Sequence, residues 1–126
     1  MEKTMPIYKG ESQYLEEAKS ALRNLSEKNA KKLRGLANHS TDISCIDEEI
    51  LPFMYDNGLF TGSDYWLDGL EWLEQDTKNR IKELNLDSTL ILLTSALAGN
   101  DNKGADYWYR IGVTTQLLKR LVRFRD

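Results

Sequence analysis

Apolar residues recur at three- and four-residue steps along most of this chain, a pattern that predicts helices. Leu15, Ala18, Leu22, Leu25, Asn29, Leu33 and Leu36 share one face of a helix that Ser12 would cap and that would run to about Ala37. Asp47-Glu48-Glu49, then Ile50, Pro52, Phe53, Met54 and Tyr55, predict a short helix with acids in its first turn and a stop at Asn57-Gly58. Trp66, Leu70, Leu73, Thr77, Ile81 and Leu84 predict a central helix over roughly 64–84, capped by Ser63, with Tyr65 and Trp72 flanking its stripe. Asn85-Leu86-Asp87 breaks it, and Asp87 or Ser88 can cap a helix over about 88–98 that ends at Gly99. Leu90 to Leu93, Ala96 and Leu97 leave that helix apolar nearly all round, the mark of a buried element. A last helix, about 105–124, carries Trp108, Ile111, Leu118 and Leu121 inward. Residues 1–11, with Pro6 and Gly10, predict an extended or frayed arm, and 38–42 and 100–104 predict loops. The fold these elements predict is all-α, one domain over residues 1–126, a bundle of about five helices.

Gly62-Ser63-Asp64-Tyr65-Trp66 nearly recurs as Gly104-Ala105-Asp106-Tyr107-Trp108. A small residue followed by Asp at the head of an apolar-periodic run is a helix-start signature, so both copies predict helix N-termini that carry Tyr and Trp into one core. Gly69 and Gly112 follow at nearly equivalent places, where a helical glycine costs about 1 kcal/mol. Close helix approach, with the two Trp rings packed together, is the expected compensation.

The chain of 126 residues is 40% hydrophobic and 29% charged, a globular composition rather than a disordered one. One cysteine cannot form an internal disulfide, and the first residues lack the basic-then-apolar run of a signal peptide, so a cytoplasmic location is expected. The apolar run Leu90–Leu93 is far too short to span a bilayer of about 30 Å. Net charge is −3, unevenly spread. Residues 1–41 hold eight basic against five acidic side chains, 42–87 three against twelve, and 88–126 six against three. The middle is an acid block that either offsets the basic ends internally or faces a basic partner.

Candidate chemistry is sparse. His39 is the only histidine and lies six positions before Cys45, so a Cys–His pair is conceivable, although a lone buried cysteine is ordinary core. Lys28, Lys31, Lys32 and Arg34 suit the negative end of the first helix, and phosphate contact is the alternative. Asp68, Glu71 and Glu74 share a face, and Glu71-x-x-Glu74 resembles the first half of the motif in all-helical nucleotide pyrophosphohydrolases. The ExxD half on a partner helix is missing, since Glu83 and Asp87 have the wrong spacing. No catalytic, cofactor or metal set is therefore expected.

The reading that these features favour is a non-enzymatic protein-binding module, of the kind exemplified by bacterial immunity proteins and phage-type inhibitors. Its acidic, aromatic-bearing middle would dock on a basic partner such as a toxin or nuclease. Glu48, Glu49, Asp68, Glu71 and Glu74 would supply charge, and Tyr55, Phe60 and Trp72 would supply anchors, beside Tyr65. The competing readings are a nucleic-acid-binding regulator using Lys119, Arg120, Arg123 and Arg125 of the last helix, and a self-assembling helical scaffold subunit.

Overall fold

The structure, a computed structural model, describes residues 4–38, 42–98 and 104–126. Residues 39–41 and 99–103 lie outside the described residues, and with them His39, the expected stop at Gly99 and most of the loops expected at 38–42 and 100–104. The described residues are all-helical, without a strand. They form α1 (Leu15–Arg23), α2 (Glu27–Asn38), a π-helical turn (Ile46–Ile50), α3 (Leu51–Asp56), α4 (Leu67–Gln75), α5 (Thr77–Arg80), a 3-10 turn (Ile81–Glu83), α6 (Leu86–Ala98), α7 (Ala105–Arg110) and α8 (Val113–Arg125). Eight α-helices thus stand where five were expected, because three long segments are each broken.

Each break has a local cause. Between α1 and α2, Ser26 Oγ accepts the Asn29 N–H at 3.1 Å and starts a new helix. The Leu25 carbonyl left beside that break accepts from Arg125 Nε and Nη2 at 3.2 and 3.0 Å. Asp76 interrupts the central segment with φ −158°, ψ 63°, and its carboxylate accepts from Asn79 Nδ2 at 3.1 and 3.2 Å. Gly112 divides the last segment by taking φ +88°, a left-handed conformation that a side chain resists.

The helix α6 is the hub. All nine residues from Thr89 to Leu97 are buried, as the sequence requires, and α1, α4, α7 and α8 pack around them. Its start differs from expectation: Asn85 caps it, with Oδ1 accepting the Ser88 N–H at 2.8 Å. The helix α8 in turn packs on α2 and α6, burying Val113, Thr114, Leu117, Leu118 and Leu121.

The near-repeat resolves into two different structures. Its second copy opens α7 as expected, but in the first copy Gly62 is left-handed at φ +65°, residues 63–66 are not helical and α4 begins only at Leu67. That connector is held from both sides. Ser12 and Ser63 form an isolated antiparallel bridge, Tyr14 N–H donates to the Thr61 carbonyl at 2.8 Å, and Asp64 N–H donates to the Glu11 carbonyl at 3.0 Å. From below, Thr94 Oγ1 accepts the Thr61 N–H at 3.3 Å and Ser95 Oγ accepts the Trp66 N–H at 3.0 Å. Residues 8–14 are therefore a stitched arm, not a frayed one. The two Trp rings do not stack as expected: Trp66 packs on Tyr8 with centroids 5.2 Å apart. The copies meet instead where Trp108 Nε1 donates to Tyr65 Oη at 3.2 Å.

Gly69 does serve close approach, since a Cβ there would lie 2.6 Å from the Trp66 ring and 2.9 Å from Leu92. Gly112 serves a turn, with nothing within 4 Å of its Cβ direction. Ion pairs close the ends of the fold: Arg34 binds Asp126 at 3.0 Å and Glu27 at 3.3 Å, while Lys19 binds Asp87 at 2.9 Å. The Arg34 contact holds the Asp126 carboxyl below its ordinary range, and the Asp87 contact raises the Lys19 ammonium.

This packing sets the expected effect of four substitutions on stability. Gly69→Ala should destabilise by about 1–3 kcal/mol through overpacking, despite better helix propensity. Gly35→Ala, in the exposed part of α2 with nothing within 4 Å, should stabilise by about 0.5–1 kcal/mol. Urea titrations in which both changes act in the same direction would contradict this assignment. Trp108, fully buried, should cost about 3–5 kcal/mol on truncation to Ala. Tyr65→Phe, which removes only the hydroxyl that accepts the indole N–H, should cost about 1–3 kcal/mol. A loss below about 1 kcal/mol in Trp108→Ala would show that its packing is not what it appears.

Candidate functional site

Four of the eight residues singled out in the sequence come together around α3. The π-turn buries Ile46 and Ile50 and leaves Asp47, Glu48 and Glu49 exposed. Their carboxylates have no hydrogen-bond or ion-pair partner among the described residues. The helix α3 buries Phe53 and Met54 and turns Tyr55 outward, 71% exposed, the largest exposure of any described aromatic side chain. Gly58, left-handed at φ +67°, ends this helix: Leu59 N–H donates to the Met54 carbonyl at 3.0 Å and Gly58 N–H to the Tyr55 carbonyl at 3.2 Å. The chain is thereby folded back so that the Phe60 ring lies 4.4 Å, centroid to centroid, from the Tyr55 ring.

Beside this ring pair lies an open cleft of about 570 Å³, whose walls include Tyr14, Leu51, Tyr55, Phe60, Thr94 and Leu97. Tyr14, 48% exposed, was not picked out in the sequence. Its signal was available: an aromatic residue at the start of α1, off the leucine stripe, has no core position to fill. Thr94 reaches the cleft from α6 while bonded to the connector. The cleft is mostly apolar with acids on the neighbouring turn, a surface that can receive an apolar or aromatic side chain flanked by cations.

The other four residues belong to α4 and have other duties. Trp72 is buried, 4% exposed, so it is not a surface anchor as expected. The Arg80 guanidinium sits 5.0 Å from its ring and donates through Nη1 to the Trp72 carbonyl at 2.6 Å. Glu74 accepts a short hydrogen bond from Tyr107 Oη and so ties α4 to α7. Glu71 is half-buried and only Asp68 is exposed. The Glu71-x-x-Glu74 resemblance gains no partner from the fold, since Asp87 is paired to Lys19 and no group of three or more potential metal ligands occurs among the described residues.

The remaining candidates divide similarly. Cys45 is buried and its Sγ lies 3.1 Å from Tyr109 Oη, with the thiol as donor. Arg120 donates to the Leu84 carbonyl at 2.9 and 3.3 Å and to the Lys82 carbonyl at 3.2 Å, and Arg125 binds Leu25 and Glu27. Lys119 and Arg123 are exposed and make no such bonds among the described residues. No helix among the described residues is long and apolar enough to cross a membrane.

Comparison with known proteins gives no match to a family model, to a curated protein or to a solved structure.

The burial of Cys45 behind Tyr109 sets an expectation that can be measured with a thiol reagent. In the folded protein, Cys45 should react with an aromatic disulfide reagent at least about a hundredfold more slowly than a free thiol, because access requires local opening of a few kcal/mol. Reaction at the free-thiol rate in the absence of denaturant would show that the thiol is reachable and would revive its candidacy as a nucleophile.

Proposed function

We propose that this chain is a non-enzymatic protein-binding module, of the inhibitor or immunity type, that docks on a basic protein partner through the π-turn and α3. The observation that carries the reading is the exposed Tyr55 ring, packed on the half-buried Phe60, next to a turn whose three carboxylates have no partner among the described residues. Leaving the Tyr55 ring in water forgoes hydrophobic stabilisation, and grouping Asp47, Glu48 and Glu49 on one short turn adds like-charge repulsion. Docking on a cationic, partly apolar surface relieves both.

The roles divide by physics. Tyr55 and Phe60, with Tyr14 across the cleft, supply the contact area that dominates affinity at hot spots. Asp47, Glu48 and Glu49 supply a field that speeds encounter and disfavours acidic proteins. The interface so drawn is narrower than the one expected from the acid block, because Trp72 and Glu74 are occupied within the fold.

Parallel affinity capture with the wild-type chain, Tyr55→Ala, the triple variant Asp47→Asn/Glu48→Gln/Glu49→Gln and a control Asp68→Asn tests the reading. A basic protein retained by wild type and by the control should bind Tyr55→Ala at least about 30-fold more weakly, equivalent to about 2 kcal/mol. The triple variant should associate about tenfold more slowly, with a flatter salt dependence. Unchanged binding by Tyr55→Ala would remove α3 from the interface, and an uncharged or acidic partner would refute the electrostatic half of the proposal.

A further inference from the structure

The acid block of the sequence, residues 42–87, contains only three basic residues, and all three fall within Lys78, Arg80 and Lys82. The fold lays this short stretch, α5 and the 3-10 turn, against the basic helix α8. The hollow between them, about 850 Å³, is lined by Lys78, Lys82, Lys119, Arg120 and Arg123 and, among the described residues, by no carboxylate. Lys78, Lys82, Lys119 and Arg123 are exposed and have no partner among the described residues. Arg120 is held differently: its Nε and Nη2 cap the Leu84 and Lys82 carbonyls and its guanidinium lies 4.9 Å from the Phe124 ring, so it is a fixed cation with Nη1 outside those bonds. A second hollow, of about 640 Å³, shares Gly112, Gln116 and Lys119 with the first and continues past Arg110 to the half-buried Tyr109 ring, where Asp42 adds a carboxylate to its far wall.

Five cations converging on one recess in a chain with more acids than bases is a charge arrangement that folding alone opposes. Some cations elsewhere are paired, as at Lys19–Asp87 and Arg34–Asp126, and others, such as Lys28 and Lys31, stand on the open face of a helix and not in a recess. We infer that this groove binds the phosphodiester backbone of a single-stranded nucleic acid, with Lys78, Lys82, Lys119, Arg120 and Arg123 contacting successive phosphates. A single strand fits better than a duplex because the cations line a recess, whereas duplex readers present a protruding helix or ribbon to a groove. The opposite face of α8 is buried and cannot serve. Contact is to the backbone, without base readout, because Tyr109 at the far end is the sole aromatic wall of the two hollows among the described residues. This site is separate from the α3 face and does not depend on it.

Fluorescence anisotropy of the full chain with a labelled mixed-sequence 16-nucleotide DNA strand is the test, with the matching duplex, a polyglutamate peptide and phosphatidylserine vesicles as competitors. The single strand should bind in the micromolar range with a log–log salt slope of about −3, roughly 0.7 for each of four to five phosphates. Lys78→Gln/Lys119→Gln should weaken binding about tenfold and flatten the slope by about 1.4. Lys28→Gln/Lys31→Gln, exposed cations on α2 that make the same change in net charge, should leave both unchanged. Circular dichroism confirms that each variant is folded. Absence of binding, equal weakening by the α2 pair, or stronger competition by duplex, peptide or vesicle each overturns the inference.

Discussion

The fold depends on burying a helix that is apolar on every side. Once Leu90 to Leu93, Ala96 and Leu97 are withdrawn from water, α6 has no solvent face, and something must cover each flank. Helices α1, α4, α7 and α8 cover most of it, but the chain between α3 and α4 must also cross α6 in a non-helical conformation. A non-helical backbone on an apolar helix would leave N–H groups unpaired. Thr94 and Ser95, polar residues within the buried helix, supply the missing acceptors to Thr61 and Trp66. The N-terminal arm pairs the connector from outside. Two hydroxyls in an otherwise apolar helix thus set where the connector lies, and with it where Phe60, Tyr65 and Trp66 point.

The helical character, the burial of α6 and the Gly58 stop were legible because each is a local property: period, composition and one turn residue. The helix breaks were not. Leu22, Leu25 and Leu33 all enter the core although α1 ends at Arg23, so the hydrophobic stripe runs straight through the break. Two helices joined by a short bend that keep burying the same core give nearly the same period as one. The overlooked signals were polar: Ser26 and Asp76 each bond to a backbone or side-chain group within four residues, and such residues compete with helix hydrogen bonds. The near-repeat misled for a related reason. Asp106 lies in the first turn of α7, whereas Asp64 lies in a segment whose backbone is engaged by Glu11 and Ser95. Tertiary context overrode a nearly identical local signature.

The surface was half legible. Glu48, Glu49, Tyr55 and Phe60 stay together around α3 because they are close in sequence, and α3 is too short to separate them. Those of α4 were misjudged because exposure along a helix cannot be read from charge alone. Trp72 is covered by Arg80, a residue eight positions later, and Glu74 is taken up by Tyr107, thirty-three positions later. Neither partner is signalled by spacing. Tyr14 joins the α3 cleft through the bond from its N–H to the Thr61 carbonyl, again a contact made by the connector.

Counting charge by sequence segment also hid the polarity of the folded molecule. Lys78 and Lys82 belong to the acid block in sequence and to the basic recess in space, so the block is more acidic around α3, and the C-terminal side more basic, than segment totals suggest. A net charge of −3 is the small residue of these opposed regions and does not describe either. Screening acts over about 8 Å at physiological ionic strength, less than the width of a helix with its side chains. A ligand near the recess between α5 and α8 therefore meets a cationic surface, and one near the π-turn meets an anionic one. Local fields, not the overall pI, decide what this chain can hold, and the backbone break at Asp76 is what makes the second field possible, because it starts the separate short helix that brings Lys78 alongside α8.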